Sequence, residues 1–371
     1  MWFGGFIMSD IEKIKEEIKE RREEYFKKNN DIIQTAFDTY SKAFDVNNYI
    51  VEHHNRLKYY LKKIKIMIIT ANQVEAGTLH GFFLNNEEKE KIKKISYKDL
   101  TYFFFELGNI KIVHVPSNNI GSHTDGGVVD TLNEAIKKVK PAIVISLGVA
   151  FGANYIKQGF GDVLVGQQYL SYDKSSKISD NKLTIKRLHI FSASANLLNR
   201  INTSLYLFRS NNDGNKYKVH VGNFITGEFV VDDVSMQKMF TATFEPLNFI
   251  GGEMEAYGLF KTVFKSDNIS CIMIKGICDW AINKNEEEST SDGDGEDLEE
   301  EFADDAKTEE STSDIKDKLQ AIAMYNVCEF VDKYFFDEKS FSDIPTKLKW
   351  FYKRSPRVYW QDIRKNKKKR M

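Results

Sequence analysis

The chain has 371 residues, enough to bury a substantial core and more than one average domain requires. Its residues are 42% apolar and 29% charged, the ordinary balance of a soluble globular protein. A formal net charge of −1 excludes a global field that would recruit nucleic acid or an acidic membrane.

In chain order, Ser9-Asp10-Ile11-Glu12 reads as a capping box opening a helix, with Ile11, Ile14 and Ile18 at helical spacing. Asn29-Asn30-Asp31 breaks that pattern, and Ile32, Ile33, Ala36, Phe37, Tyr40 and Phe44 start a second amphipathic helix. Residues 1–61 are thus expected to be a helical extension that contacts other subunits, in a homo-oligomer, or a partner protein. From residue 62 the pattern changes. Ile64 to Ile69 is a short strand, and Thr70-Ala71-Asn72-Gln73 turns into a helix holding Glu75. Tyr102 to Glu106 and Lys111 to Val115 read as paired strands across Gly108-Asn109, and a helix over 127–139 stops at Pro141. Ala142 to Leu147 is a buried strand ending at Gly148, and Val163-Leu164-Val165, Val219-His220-Val221 and Ile272-Met273-Ile274 continue the series. Strands alternating with helices predict an α/β domain over 62–335 with a largely parallel sheet, whose ligands bind beyond the carboxyl ends of the strands.

Residues 286–310 hold fourteen Asp or Glu against one Lys, and an insert over 285–313 is expected to be disordered because so little apolar surface cannot offset the entropy of ordering. The tail, 336–371, is basic and aromatic. Eleven Lys or Arg and one Asp fall after Thr346, with Trp350, Phe351, Tyr352, Tyr359 and Trp360 among them. Self-association is the first expectation for it, contact with the acidic insert the second, and nucleic acid the third. Cys271, Cys278 and Cys328 form neither a disulfide framework nor a zinc pattern and read as buried thiols. No apolar run reaches the length of a membrane span, and Met1 to Ile7 is too short for a signal peptide, so the expected compartment is the cytoplasm.

Chemistry concentrates in Gly251-Gly252-Glu253-Met254-Glu255-Ala256 and Lys275-Gly276-Ile277-Cys278-Asp279-Trp280. Each places carboxylates just after an apolar run, where charges must be paired, bonded or neutralised. They could be structural acids that cap helices or pair with cations. They could equally hold a polar substrate. Breaking an N-glycosidic bond needs an acid for the departing base, a carboxylate for the ribose hydroxyls and a group that directs water. Asp279, Glu255 and Glu75 suit these jobs in turn. A first-turn Glu such as Glu75 is also well placed merely to stabilise a helix dipole. Gly121 to Gly127 precedes a helix and reads either as a phosphate cradle or as a plain polar loop.

These motifs, with Ile69-Thr70-Ala71-Asn72-Gln73-Val74-Glu75, Gly148-Val149-Ala150-Phe151-Gly152, Gly161-Asp162-Val163-Leu164-Val165 and Thr226-Gly227-Glu228-Phe229-Val230, resemble the nucleoside phosphorylase superfamily. The nearest branch is that of the 5′-methylthioadenosine/S-adenosylhomocysteine nucleosidases and the nucleosidase domains of bacterial defence effectors. The resemblance implies a three-layer α/β/α domain with a central mixed sheet. It implies hydrolysis of the N-glycosidic bond of a purine nucleoside or nucleotide, with adenine the expected base, without metal or cofactor. By position it implies that Asp279 protonates the purine, that Glu75 orients water, and that Glu255, Met254 and neighbouring Glu253 and Cys278 surround the ribose. Phe229 and Val230 would line the base, and Gly148 and Val149 the nucleoside. The chain departs from the family at Val149, commonly Ser, and at Val230, which aligns with a stacking Phe. No arginine occurs between Arg56 and Arg187, and bidentate guanidinium is the favoured clamp for phosphate, so water is the expected co-substrate. A phosphorylase and a catalytically silent nucleoside-binding sensor are the alternatives.

Overall fold

The computed structural model describes residues 4–62, 64–84, 91–107, 110–117, 121, 127–172, 176–179, 182–185, 189–210, 216–227, 234–266, 268–282 and 312–336. Residues 285–311 of the acidic insert, 337–371 of the basic tail, Phe229, Val230 and most of the loop from Gly121 to Gly127 lie outside the described residues, while Thr312 and Ser313, expected within the insert, already belong to a helix.

Helix α1 (Gly4–Lys42) corrects two expectations. It starts before the predicted Ser9 cap, because Phe6-Ile7-Met8 contains nothing that breaks helical backbone. The predicted break survives only as a kink at Asn29 (φ −119°, ψ 18°), whose side-chain amide donates to the Tyr25 carbonyl at 2.9 Å. Such local bonding competes with the helix without ending it. The chain then forms strand β1 (Tyr49–Val51), the short helix α2 (Leu57–Leu61), β2 (Ile66–Ile69) and α3 (Gln73–Leu84). Three strands follow, β3 (Ile92–Tyr97), β4 (Leu100–Leu107) and β5 (Ile110–His114), then α4 (Val128–Val139). The second half comprises β6 (Ile143–Gly152), β7 (Val163–Ser171), the separate hairpin β8 (Ser176–Ser179) and β9 (Lys182–Ile185), and β10 (His189–Ser192). It continues through α5 (Ala195–Ser210), β11 (Val219–Thr226), α6 (Val234–Phe244), β12 (Phe249–Glu253), α7 (Ala256–Val263), β13 (Ser270–Asp279) and α8 (Thr312–Phe330).

Eleven strands form one mixed sheet, less parallel than the sequence suggests. β2 lies parallel between β5 and β6, whereas β4 runs antiparallel to both β3 and β5. Beyond β6 the sheet closes on itself. β6 pairs with β13 in parallel and with β12 antiparallel, β12 with β11, β11 with β7, and β7 with β13. This closure demands a long β6, which runs through Gly148 to Gly152 instead of stopping at Gly148 as predicted. It pairs with β13 from Ile143 to Phe151, and its last two residues reach β12.

The strands around this junction carry apolar runs, as those buried on both faces must. Every residue of β2 is buried, as are Cys271 to Ile274 of β13. Helices α1, α3 and α8 pack on one another, with α8 against β13 and β6; α4 packs on α7, which touches β13 and β7. The result is a three-layer α/β/α architecture of nucleoside phosphorylase type. Ile33 and Ala36 of α1 are buried against Ile322 of α8, so the N-terminal helix is part of this packing. The three cysteines are buried free thiols.

Candidate active site

The site is built where β2, β6, β12 and β13 come together. Asn72 caps α3, its Oδ1 accepting the Glu75 amide at 2.8 Å. Glu75 reaches back to accept the Ala71 amide (2.6 Å) and the Asn72 amide (3.3 Å) on Oε2. This is the reciprocal geometry of a capping box, so the structural reading of Glu75 is correct as far as it goes. Its other oxygen does something further. Oε1 accepts the Val149 amide of β6 at 2.8 Å and lies 3.9 Å from the Lys275 ammonium of β13.

Lys275 is 1% exposed, and its ammonium donates to Glu255 Oε2 at 3.2 Å. Burial works against the charged ammonium, but Glu255, Glu75 and Glu253 outweigh it and hold Lys275 above its ordinary range. Glu253, at the end of β12, accepts the amides of Glu255 (2.7 Å) and Ala256 (2.9 Å) on Oε2 at the start of α7. Its Oε1 is buried with no hydrogen-bond partner among the described residues. Burial first, then the Glu255 charge, push Glu253 up to about 8, so it carries a proton at neutral pH. Glu75 is also raised, by burial, while Lys275 and its backbone donors pull the other way. Three carboxyls and one ammonium are thus buried together, and burial, with the neighbouring Glu255 charge, makes Glu253 the acid that takes up a proton.

Gly148 makes the contact sterically feasible. A Cβ there would stand 2.3 Å from Glu75 Oε1 and 2.7 Å from Lys275 Nζ. Val149 contributes its backbone amide to Glu75; the family's common Ser at this position is therefore not required for that bond. Met254 is half-buried between the two glutamates in sequence. Asp279 is the last residue of β13, beside Phe151 of β6, after a register shift that follows Ile277. Such a bulge re-aims the residues it involves. Asp279 is half-buried, and its Oδ1 accepts the Ala281 amide at 2.8 Å. The buried Cys278 thiol sits 3.3 Å from Asp279 Oδ2.

The structure therefore brings Glu75, Gly148, Val149, Glu253 and Glu255 around one cation, with Asp279 four residues further along the strand that carries it. Lys275 is the residue that motif reasoning passed over. Its signal was plain in retrospect: a lone charge within Cys271 to Ile277, a strand otherwise too apolar to face water. A second buried feature without a sequence signal is the contact of His80 Nε2 with His114 Nδ1, at 2.8 Å.

Among solved structures, the chain is similar to the 5′-methylthioadenosine/S-adenosylhomocysteine nucleosidase of Neisseria meningitidis (TM-score 0.52, 17% identity, 73% of this chain and 98% of that one). It is also similar to the futalosine hydrolase of Helicobacter pylori (0.52, 15%, 72% and 96%) and to that organism's 5′-methylthioadenosine/S-adenosylhomocysteine nucleosidase (0.53, 16%, 74% and 98%). No curated protein matches by sequence. No helix among the described residues is long and apolar enough to cross a membrane. The family model of the phosphorylase superfamily matches residues 65–313, which include every element of the carboxylate and lysine cluster, and the chain belongs to that superfamily.

Proposed function

We propose that this protein is a nucleosidase that hydrolyses the N-glycosidic bond of a purine nucleoside or nucleotide. The observation that carries the reading is the buried assembly of Glu75 from the first turn of α3, Lys275 from within β13 and Glu255 at the start of α7. Glu75 Oε1 spends one lone pair on the Val149 amide, and the 3.9 Å to Lys275 exceeds hydrogen-bond length. Its second lone pair is offered to water. Burial raises Glu75, and Lys275 and the backbone donors Ala71 and Val149 oppose that, favouring the carboxylate that a base requires. Lys275 fixes Glu255 through Oε2 and leaves Oε1 for the ribose hydroxyls.

In the reaction the C1′–N bond breaks and its electron pair stays on the base, which takes a proton from Asp279. Water adds to C1′ of the oxocarbenium-like sugar and gives its proton to Glu75. Lys275 also bears on the choice of nucleophile. It is already engaged with two carboxylates, and Glu75 repels an anion, which favours water over phosphate. The resemblance to solved nucleosidases and a futalosine hydrolase supports the same reading.

The test is product chromatography after incubation with a panel of purine nucleosides and nucleotides, with and without phosphate. Free base plus ribose from a nucleoside, or ribose 5-phosphate from a nucleoside 5′-monophosphate, is expected, lost in Asp279→Asn and Glu255→Gln while the fold persists. Ribose 1-phosphate would establish a phosphorylase instead, and full activity in both variants would remove the mechanism.

A further inference from the structure

A cavity of about 280 Å³ opens on the side of α3 turned away from Glu75. Gln73, Ala76, Gly77 and His80 line it from the face of the helix turned away from Glu75. Phe44 and Tyr49 close it from the segment that follows α1, Phe103 from β4 and Ser117 from the segment after β5. Its size is slightly below the roughly 300–1,000 Å³ of typical small-molecule sites. Among the described residues that line it there is no Lys, Arg, Asp or Glu.

One polar chain runs from its wall into the sheet. The Tyr49 hydroxyl lies 2.9 Å from the Ala43 carbonyl and 3.0 Å from His80 Nδ1. His80 Nε2 meets His114 Nδ1 at 2.8 Å, and His114 Nε2 meets the Thr70 hydroxyl at 3.0 Å. A carbonyl only accepts, so the single Tyr49 proton goes to Ala43. His80 then carries its proton on Nδ1, His114 carries its own on Nδ1, and Thr70 donates to His114. Burial holds both imidazoles neutral, pushing His80 down to about 3, so the wall presents no charge.

We infer that this cavity is a binding site for an uncharged nitrogen heterocycle of nucleobase size, distinct from the Glu75 cluster. Three aromatic rings offer stacking surface, as base-binding sites do. The exposed Gln73 carboxamide at the mouth supplies the paired donor and acceptor that reads a purine edge. A phosphorylated ligand finds no cation in this wall. The cavity also shares the Thr70–Asn72 turn with the other site. Ser117 bonds the Thr70 carbonyl through both its amide (2.9 Å) and its hydroxyl (3.2 Å), and the Ala71 and Asn72 amides hold Glu75. An occupant that leans on Asn72 or Ser117 thus bears on the turn that positions Glu75. The inference does not depend on the hydrolase reading.

The experiment is photolabelling of the full-length protein with 8-azidoadenine, followed by peptide mapping, with adenine and adenosine monophosphate as competitors. Label is expected in the segment containing Phe44 and Tyr49 or in that containing Phe103, protected by adenine and not by the monophosphate. Ala76→Phe fills the cavity and should abolish that label while label in 249–280 persists. Should Ala76→Phe fail to fold, Gln73→Ala at an exposed position serves instead, with adenine protection about tenfold weaker. Label confined to 249–280, label indifferent to both variants, or equal protection by the monophosphate overturns the inference.

Discussion

Replacing Glu253 by Gln isolates the titration of the buried cluster. Glu253 is 6% exposed and raised from 4.5 to about 8, chiefly by burial. A folded-state pKa above the unfolded one means that the folded protein binds the extra proton between these values. The associated stability is complete at low pH and is lost as pH climbs through about 8. At roughly 1.4 kcal/mol per unit, the full shift corresponds to about 5 kcal/mol, and the window from about pH 5 to 8 samples roughly 3–4 kcal/mol of it. Gln keeps a carbonyl oxygen for the Glu255 and Ala256 amides and does not titrate. Urea unfolding of wild type and Glu253→Gln across that window, followed by tryptophan fluorescence, should give curves that diverge with pH. The variant should gain about 3–4 kcal/mol relative to wild type from the acid end to the alkaline end. Parallel curves, within about 0.5 kcal/mol throughout, would refute the claim that Glu253 is the buried proton carrier.

Two further substitutions probe close packing. Gly148→Ala inserts a methyl 2.3 Å from Glu75 Oε1 and 2.7 Å from Lys275 Nζ; it should cost about 1–3 kcal/mol and lower kcat/KM for base release by at least about 100-fold. Steady-state kinetics beside a melting curve decide it, and activity within twofold of wild type contradicts the assigned geometry. Gly81→Ala brings a methyl 1.8 Å from the Thr39 carbonyl oxygen, backbone against backbone, where no side chain can swing away. A loss of about 3 kcal/mol is expected, with faster proteolysis within residues 4–42, and an unaltered urea midpoint argues against direct α1–α3 contact.

Much of the architecture was legible because its causes are local. The apolar runs at 66–69, 143–147 and 271–274 can be satisfied only as strands buried on both faces, and the pattern over 128–139 followed by Pro141 specifies one amphipathic helix and its end. The shortest strands were less legible. β1, β10 and β12 are three to five residues long, and nothing in so short a segment separates a strand from a loop until it finds a neighbour to pair with. The kink at Asn29 was visible as a discontinuity, but whether a discontinuity ends a helix or bends it depends on what packs on both sides, here α3 and α8.

The same division runs through the site. The sequence alone determined that carboxylates stand at Glu75, Glu253, Glu255 and Asp279 just beyond apolar strands, because burying such charges without a purpose is costly. Only the tertiary structure decided that Lys275 joins Glu75 to Glu255, that Val149 acts through its amide and that Glu253 holds a proton. Those facts depend on the register that sets Lys275 opposite Gly148 and on the closure that brings β12 to the end of β6. Register and closure are properties of strands far apart in the chain, and the energy of a buried charge is set by whatever neighbours they deliver.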